Sequence, residues 1–262
     1  MQTIILCGGQ GTRIREASEL KPKPMLEIGG LPVLWHIMKI YASQGHSDFV
    51  LALGHLGPVI KKFFLDYRPM VSDFTVKLGS GALDMHGAAS QSDDWSVTCA
   101  DTGENTMTGG RVARAAKYLK PGPFMVTYGD GVGDIDLQAL LKFHQAHGRL
   151  ATVCGVRPPG RFGELAVEKD GRVAQFNEKP QVSEGYINGG FMVFEPDVLQ
   201  KYLKEDEGLI LEQGPLMSLA KDGQLMMYPH QGFWQPMDTL REYQHLNALW
   251  AKGEAPWKVW KG

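Results

Sequence analysis

Short apolar runs alternate with segments of helical period along most of the chain. Thr3–Cys7 is an apolar run of strand length that ends in glycines. Pro32–Gln44 puts Val33, Leu34, Ile37, Ile40 and Tyr41 on one helical stripe. Asp48–Leu53 reads as a strand and Pro58–Tyr67 as a helix opened by its proline. Phe74–Leu78 and Trp95–Ala100 have strand character, Arg111–Leu119 is helical, and Phe124–Tyr128 is a buried strand. Asp136–His147 is a helix with an aspartate in capping position. Strands and helices taking turns in this way predict an α/β fold with a largely parallel sheet.

After Leu150 the pattern changes. Leu150–Val156, Glu164–Glu168, Arg172–Asn177 and Tyr186–Phe194 read as closely spaced strands, an antiparallel addition to the first half. Helices return at Pro196–Lys204 and Gln213–Lys221, and Thr239–Ala251 is the last. No repeat, low-complexity tract or flexible linker separates the halves, so the chain reads as one continuous domain.

Composition narrows the function. At 262 residues, with 43% hydrophobic and 21% charged residues, the chain can bury a core without disulfides or metals. Lys and Arg number 27 against 29 Asp and Glu, a net charge of −2, which gives no basic field for a nucleic-acid backbone. Cys7, Cys99 and Cys154 lie far apart in apolar runs, without a C-x-x-C pair, and read as reduced core thiols. The N-terminal residues carry no signal-peptide pattern and no window suits a membrane span, which predicts a cytoplasmic protein with no membrane partner. Glycine is the unusual count, 32 residues against a typical ~7%, and it clusters in a few short runs where chemistry is to be sought.

The first run is Leu6-Cys7-Gly8-Gly9-Gln10-Gly11-Thr12-Arg13, directly after the first strand. Glycines let backbone N–H groups close on phosphate oxygens, and an arginine just beyond can clamp a phosphate through two bonds. Ile14 stands where a dinucleotide fingerprint needs glycine, and no G-x-x-x-x-G-K-[ST] occurs. Ten residues on, Lys21-Pro22-Lys23-Pro24-Met25 reads as a stiff, extended, non-helical segment that would hold a lysine at a fixed distance from a triphosphate. Taken separately, each is equally a glycine turn or a solvated surface turn.

Gly8-Gly9-x-Gly11-Thr12-Arg13 and Lys21-Pro22-Lys23-Pro24-Met25 together resemble the signature of the sugar-1-phosphate nucleotidyltransferases. The likeness continues in order through Tyr128-Gly129-Asp130-Gly131, Glu178-Lys179-Pro180, Ile187-Asn188-Gly189-Gly190 and Phe233-Trp234-Gln235-Pro236-Met237-Asp238-Thr239. The run from Asp101 to Arg111 resembles the branch that uses CTP. This resemblance implies a Rossmann-like nucleotidyltransferase fold: a mostly parallel mixed central sheet flanked by helices, with a smaller β-rich sugar-binding portion. Residues 1–148 would be mainly the nucleotide half and 149–262 mainly the sugar-phosphate half.

The implied reaction joins CTP to an α-D-glucose 1-phosphate-like acceptor, giving CDP-glucose and pyrophosphate with the help of Mg²⁺. Leu6, Gly8, Gly9, Gly11, Thr12, Arg13 and Lys23 would grip the triphosphate. Asp130 and Asp238 would hold the metal, and Arg13, Lys23 and the two aspartates would be the catalytic set. Lys179 would bind the sugar phosphate, with Glu178, Tyr128, Asn188 and Gly189 around the sugar. Thr106 and the Gly109-Gly110 backbone would meet base or ribose. Arg111, a donor-only side chain, would favour cytosine, whose N3 and O2 both accept, over uracil. Read simply, Asp130 is a turn residue, Asp238 the cap of the last helix, Arg111 a helix-start residue with its head in solvent, and Glu178-Lys179 a surface turn.

Two rival readings remain. Asp134-Ile135-Asp136 fits the Asp-x-Asp of a metal-dependent glycosyltransferase, although Asp136 also suits a helix cap. A catalytically silent nucleotide sensor would share the fold. His144 and His147, at helical spacing, read as solvated on an exposed helix face. Trp250, Trp257 and Trp260 suggest an ordered tail that packs on a surface or meets a second subunit, and the family resemblance implies a homo-oligomer.

Overall fold

Gln2–Cys7 (β1) is buried along its whole length because both faces of its sheet are covered. In the computed structural model, residues 1–9, 21–86, 94–158 and 185–260 are described, together with the strands Glu164–Val167 and Val173–Asn177. Gly11, Thr12, Arg13, Glu178 and Lys179 therefore lie outside the described residues.

The main sheet contains β1, Asp48–Leu53 (β2), Ser96–Asp101 (β3), Phe124–Tyr128 (β4), Ala151–Val156 (β5), Ile187–Phe194 (β6) and Leu225–Pro229 (β7). Among the described residues its seven strands run in the order β7-β5-β6-β4-β1-β2-β3. β1 pairs in parallel with β2 and β4, and β2 with β3. Only β6 runs against its neighbours, β4 and β5, whereas β5 and β7 are parallel. The mostly parallel α/β sheet is as the sequence predicts. The antiparallel addition amounts to β6 within the main sheet and the small pair Glu164–Val167 with Val173–Asn177.

Alternation along β1 divides the core. Ile5 and Cys7 face the layer containing Val33–Ala42 (α1), while Ile4 and Leu6 face that of Thr108–Ala115 (α2). The predicted stripe on α1 is fully buried, and Tyr41 stacks on Phe191 of β6 with centroids 5.6 Å apart.

Leu137–His147 (α3) is capped by Asp136, whose carboxylate accepts from Ala139 N at 2.9 Å. Its histidines correct the expectation of a solvated pair. His144 is buried, and Nδ1 of His144 and Nε2 of His147 meet the Thr152 hydroxyl at 2.8 and 2.7 Å. The helix packs that face on β5, so the imidazoles fasten it to the sheet.

Leu240–Ala251 (α4) leads into the tryptophan tail. His36 on α1 sits in an aromatic cage, with Trp35, Trp250, Trp257 and Trp260 at ring-centroid distances of 5.3, 4.6, 6.3 and 6.1 Å. Trp257 is fully buried and Trp260 nearly so, so the tail packs on the fold and closes the core. No helix among the described residues is long and apolar enough to cross a membrane.

Candidate active site

From β1 the chain proceeds to β2 and β3 on one side, then returns to β4 on the other. Between β1 and β4 lies a switch point, and ligands of open α/β sheets bind outside the carboxyl ends of strands at such a place. There Gly8-Gly9 follows β1 and Gly129-Asp130 follows β4. A cavity of about 470 Å³ opens at these ends, lined by Leu6, Gly8, Gly9, Lys23, Thr106, Arg111, Tyr128, Asp130 and Asp238 among others. Nine predicted site residues thus share one cavity. Gly129 must lack a side chain: a Cβ there would stand 2.9 Å from Leu6 O and 3.1 Å from Pro24 Cγ.

Asp130 and Asp238 meet because a short ladder brings their backbones together. Trp234–Pro236 pairs antiparallel with Gly131–Gly133, matching Pro236 to Gly131, and Met237 N donates to Asp130 O at 2.9 Å. Asp238 is not the cap of α4. Thr239 takes that place, and Glu242 accepts from the backbone N–H of both Asp238 and Thr239 at 2.7 and 2.8 Å. This capping box leaves the Asp238 carboxylate turned to the cavity.

Lys23 reaches both aspartates. Its ammonium donates to Asp130 Oδ2 at 2.5 Å and to Asp238 Oδ1. Lys23-Pro24-Met25 forms one turn of 3₁₀ helix, which corrects the extended reading. Proline is tolerated in a first turn, where its missing N–H has no partner to lose, and Met25 N closes the turn on Pro22 O at 2.7 Å. Burial disfavours the Lys23 charge, yet Asp130 and Asp238 together outweigh it and hold the pKa above the usual lysine value.

The two carboxylates converge on one cationic point and are 32% and 27% exposed, open on the cavity side. No cluster of three or more His, Cys, Asp or Glu able to hold a metal occurs among the described residues. Magnesium is content with one or two carboxylates completed by phosphate oxygens and water, so the donor set fits that ion alongside a bound triphosphate.

Arg111 forms the cavity floor. It is the fourth residue of α2, which begins three residues before the predicted start, and its head is buried, not in solvent. Nη1 donates to Leu53 O, Thr102 Oγ1 and Gly103 O at 2.7–3.0 Å, and Nη2 to Gly8 O and Glu104 O, both at 3.0 Å. All four terminal N–H bonds are thereby committed to protein oxygens. The ends of β1, β2 and β3 are tied together by this one side chain. Gly8 and Gly54 are glycines for the same reason, since a Cβ at either would stand 2.2–2.3 Å from the guanidinium. Burial lowers the Arg111 pKa from its usual value.

Beside it, Thr106 is buried and accepts from Arg114 Nη1 at 2.6 Å. Gly109 N and Gly110 N donate to Leu209 O at 2.9 and 3.1 Å, and a Cβ on Gly110 would stand 2.3 Å from Asp206 O. The Gly-Gly pair therefore seats the segment 206–211 against the helix start, and Gly110 does not line the cavity.

On the other wall, Tyr128 Oη accepts from Asn188 Nδ2 at 3.3 Å and bonds Glu212. Gly189 O accepts from Trp234 Nε1 at 2.8 Å. Glu212, Arg114 and Glu242 are organising residues that the motifs do not include. Of the Asp-x-Asp pair, Asp136 is the α3 cap and Asp134 lies 3.0 Å from His230, so neither serves this cavity.

A mostly parallel sheet with a glycine-lined crevice at its switch point, two convergent aspartates and a buried lysine defines a protein that handles nucleotide phosphates. The chain matches the Nucleotidyl transferase family over residues 2–248 and belongs to it. It is 48% identical over 262 residues to glucose-1-phosphate cytidylyltransferase of Salmonella typhi, covering all of both chains. It is 44% identical over 260 residues to probable glucose-1-phosphate cytidylyltransferase of Bacillus subtilis (strain 168), covering 99% of this chain and 100% of the other. A putative glucose-1-phosphate thymidylyltransferase from Bacillus anthracis shares the fold, with a TM-score of 0.68 at 19% identity over 100% of this chain and 97% of that one.

Proposed function

We propose that the protein transfers the cytidylyl group of CTP to α-D-glucose 1-phosphate, releasing pyrophosphate and forming CDP-glucose. Full-length relatives named for that activity support the substrates. The structural observation that carries the reaction class is Lys23 gathered with Asp130 and Asp238 at the switch-point cavity.

The attacking group is a phosphate oxygen that is already anionic, so no side chain need remove a proton. It forms a bond to the α-phosphorus of CTP as the bond from that phosphorus to the bridging oxygen breaks and pyrophosphate leaves. The demand is electrostatic: two polyanions must be held in line while charge on the α-phosphate and leaving group is offset. In this reading Leu6 and the Gly8-Gly9 backbone, with Gly11, Thr12 and Arg13, hold the triphosphate, and Lys23 swings from the aspartates to the phosphates. Asp130 and Asp238 would hold Mg²⁺, which would supply Lewis-acid neutralisation when bound. Lys179 and Glu178 serve the sugar phosphate with Tyr128, Asn188 and Gly189. Thr106 faces the base, while Arg111 governs base choice by fixing the loop from Gly103 to Thr106.

In this reading residues 1–148 are mainly the nucleotide half and 149–262 mainly the sugar-phosphate half. Cytoplasmic residence suits the three free cysteines of the described chain and the nucleotide substrate. Self-association is assigned to the ribbon Asp73–Lys77 with Ala82–His86. Phe74, Val76, Leu83 and Met85 share one of its faces, opposite Thr75, Lys77 and Asp84, and the apolar face is largely exposed. A two-stranded ribbon is marginal alone, and a second copy covering that face would stabilise it.

Mass-spectrometric identification of the product tests the reaction. The outcome supporting it is CDP-glucose formed from CTP and glucose 1-phosphate and abolished by chelator. Absence of any nucleotide sugar from these substrates with Mg²⁺ overturns it.

A further inference from the structure

One wall of the cavity is organised from behind by Glu212. This half-buried residue belongs to the segment that crosses the start of α2. One of its carboxylate oxygens bonds the Tyr128 hydroxyl, and the other accepts from Thr108 Oγ1 at 2.8 Å. Leu211 N donates to the same threonine oxygen at 2.9 Å. Tyr128 and Thr108 both line the cavity, one at the end of β4 and the other at the start of α2.

The direction of these bonds has a chemical consequence. A tyrosine hydroxyl carries one proton, and an ionised carboxylate can only accept. The Tyr128 proton is therefore committed to Glu212, and the hydroxyl offers the cavity an acceptor. Asn188 Nδ2 already donates to it at 3.3 Å, with the amide direction set by Gly190 N donating to Asn188 Oδ1 at 2.8 Å. The ring has little room to turn away. Gly190 holds φ at +85°, and a Cβ there would stand 2.5 Å from Tyr128 Cδ2.

We propose that Glu212 is a positioning residue for the sugar phosphate, taking the Tyr128 proton so that Oη faces a donating hydroxyl of the sugar as an acceptor. Its second bond, to Thr108, ties this wall to the nucleotide side of the cavity. The inference rests on the transferase reading above. It adds the polarity of one contact to the sugar and names the residue that sets it.

Glu212→Gln tests this, because the amide keeps the shape but offers one acceptor and one donor in place of two acceptors. The amide can donate to Tyr128, whose proton then turns toward the cavity and repels the sugar hydroxyl. The KM for glucose 1-phosphate should rise about tenfold, with kcat at saturation within about threefold of wild type and the KM for CTP moved less. Tyr128→Phe alone should raise the same KM, and adding Glu212→Gln to it should change little, because the second substitution acts through a hydroxyl already removed. Thermal midpoints accompany the kinetics. An unchanged KM for glucose 1-phosphate in Glu212→Gln, or a lowered midpoint and kcat with that KM unmoved, overturns the inference. Full multiplication of the two single effects overturns it as well. Wild-type protein that releases no pyrophosphate from CTP and glucose 1-phosphate overturns the transferase reading and this inference with it, an outcome separable from the others by that control.

Discussion

The Lys23 ammonium donates to the Asp130 carboxylate across 2.5 Å, although 107 residues separate them in the chain. Two backbone devices make this contact. The 3₁₀ turn at Lys23–Met25 aims the lysine, and the Gly131–Gly133 ladder brings Asp238 beside Asp130. Lys23→Ala or Asp130→Ala should lower turnover by well over tenfold while far-ultraviolet circular dichroism stays that of wild type. Near-wild-type turnover in either variant removes that residue from the mechanism.

Arg111 is a different kind of residue because its bonds are internal. Replacing it with alanine takes a charged donor away from five oxygens at once and opens space beside Gly8 and Gly54. Arg111→Ala should cost about 3 kcal/mol or more in denaturant unfolding and raise the KM for CTP. An unfolding free energy within about 0.5 kcal/mol of wild type would show that the guanidinium does not hold the strand ends.

His36 should give the fold a distinct acid sensitivity. Nε2 faces Ile28 O at 2.9 Å and Nδ1 receives Trp257 Nε1 at 3.4 Å, so the ring donates at one nitrogen and accepts at the other. Protonation would set N–H against N–H at Trp257. Burial lowers its pKa from 6.5 to about 4, only partly countered by the Ile28 carbonyl. An unfolded histidine takes up a proton below its ordinary pKa while the folded one refuses it. The contribution is therefore complete above that value and is lost as pH falls toward about 4, a change of roughly 3 kcal/mol. His36→Gln should flatten the stability-versus-pH curve across that window. Identical slopes for wild type and variant would refute the assignment.

The exposed ribbon predicts an assembly. Wild type should sediment as a multimer, and Val76→Asp with Leu83→Asp should shift it toward monomer without loss of the sheet's circular dichroism signal. A wild-type monomer across the micromolar range contradicts that surface assignment.

Much of the sheet was legible because buried parallel strands form unbroken apolar runs, as in Asp48–Leu53 and Phe124–Tyr128. The α1 stripe and the Asp136 cap were readable for equally local reasons. What sequence could not convey was the tertiary pairing that reassigns a side chain. Lys23-Pro24 looks extended until Pro22 O accepts from Met25 N, and Asp238 looks like a cap until Glu242 and Thr239 form theirs. Arg111 looks like a solvated helix residue until the ends of three strands surround it. Glu212 stands alone in an apolar run, with no local pattern to relate it to Tyr128, 84 residues away.

The most direct measurement is kcat/KM for pyrophosphate release with glucose 1-phosphate and each of CTP, UTP, dTTP, ATP and GTP, with Mg²⁺ and with chelator. The account predicts chelator-sensitive release with CTP, at least about a hundredfold more efficient than with any other triphosphate. Equal or better release with another triphosphate, or silence with CTP, contradicts it.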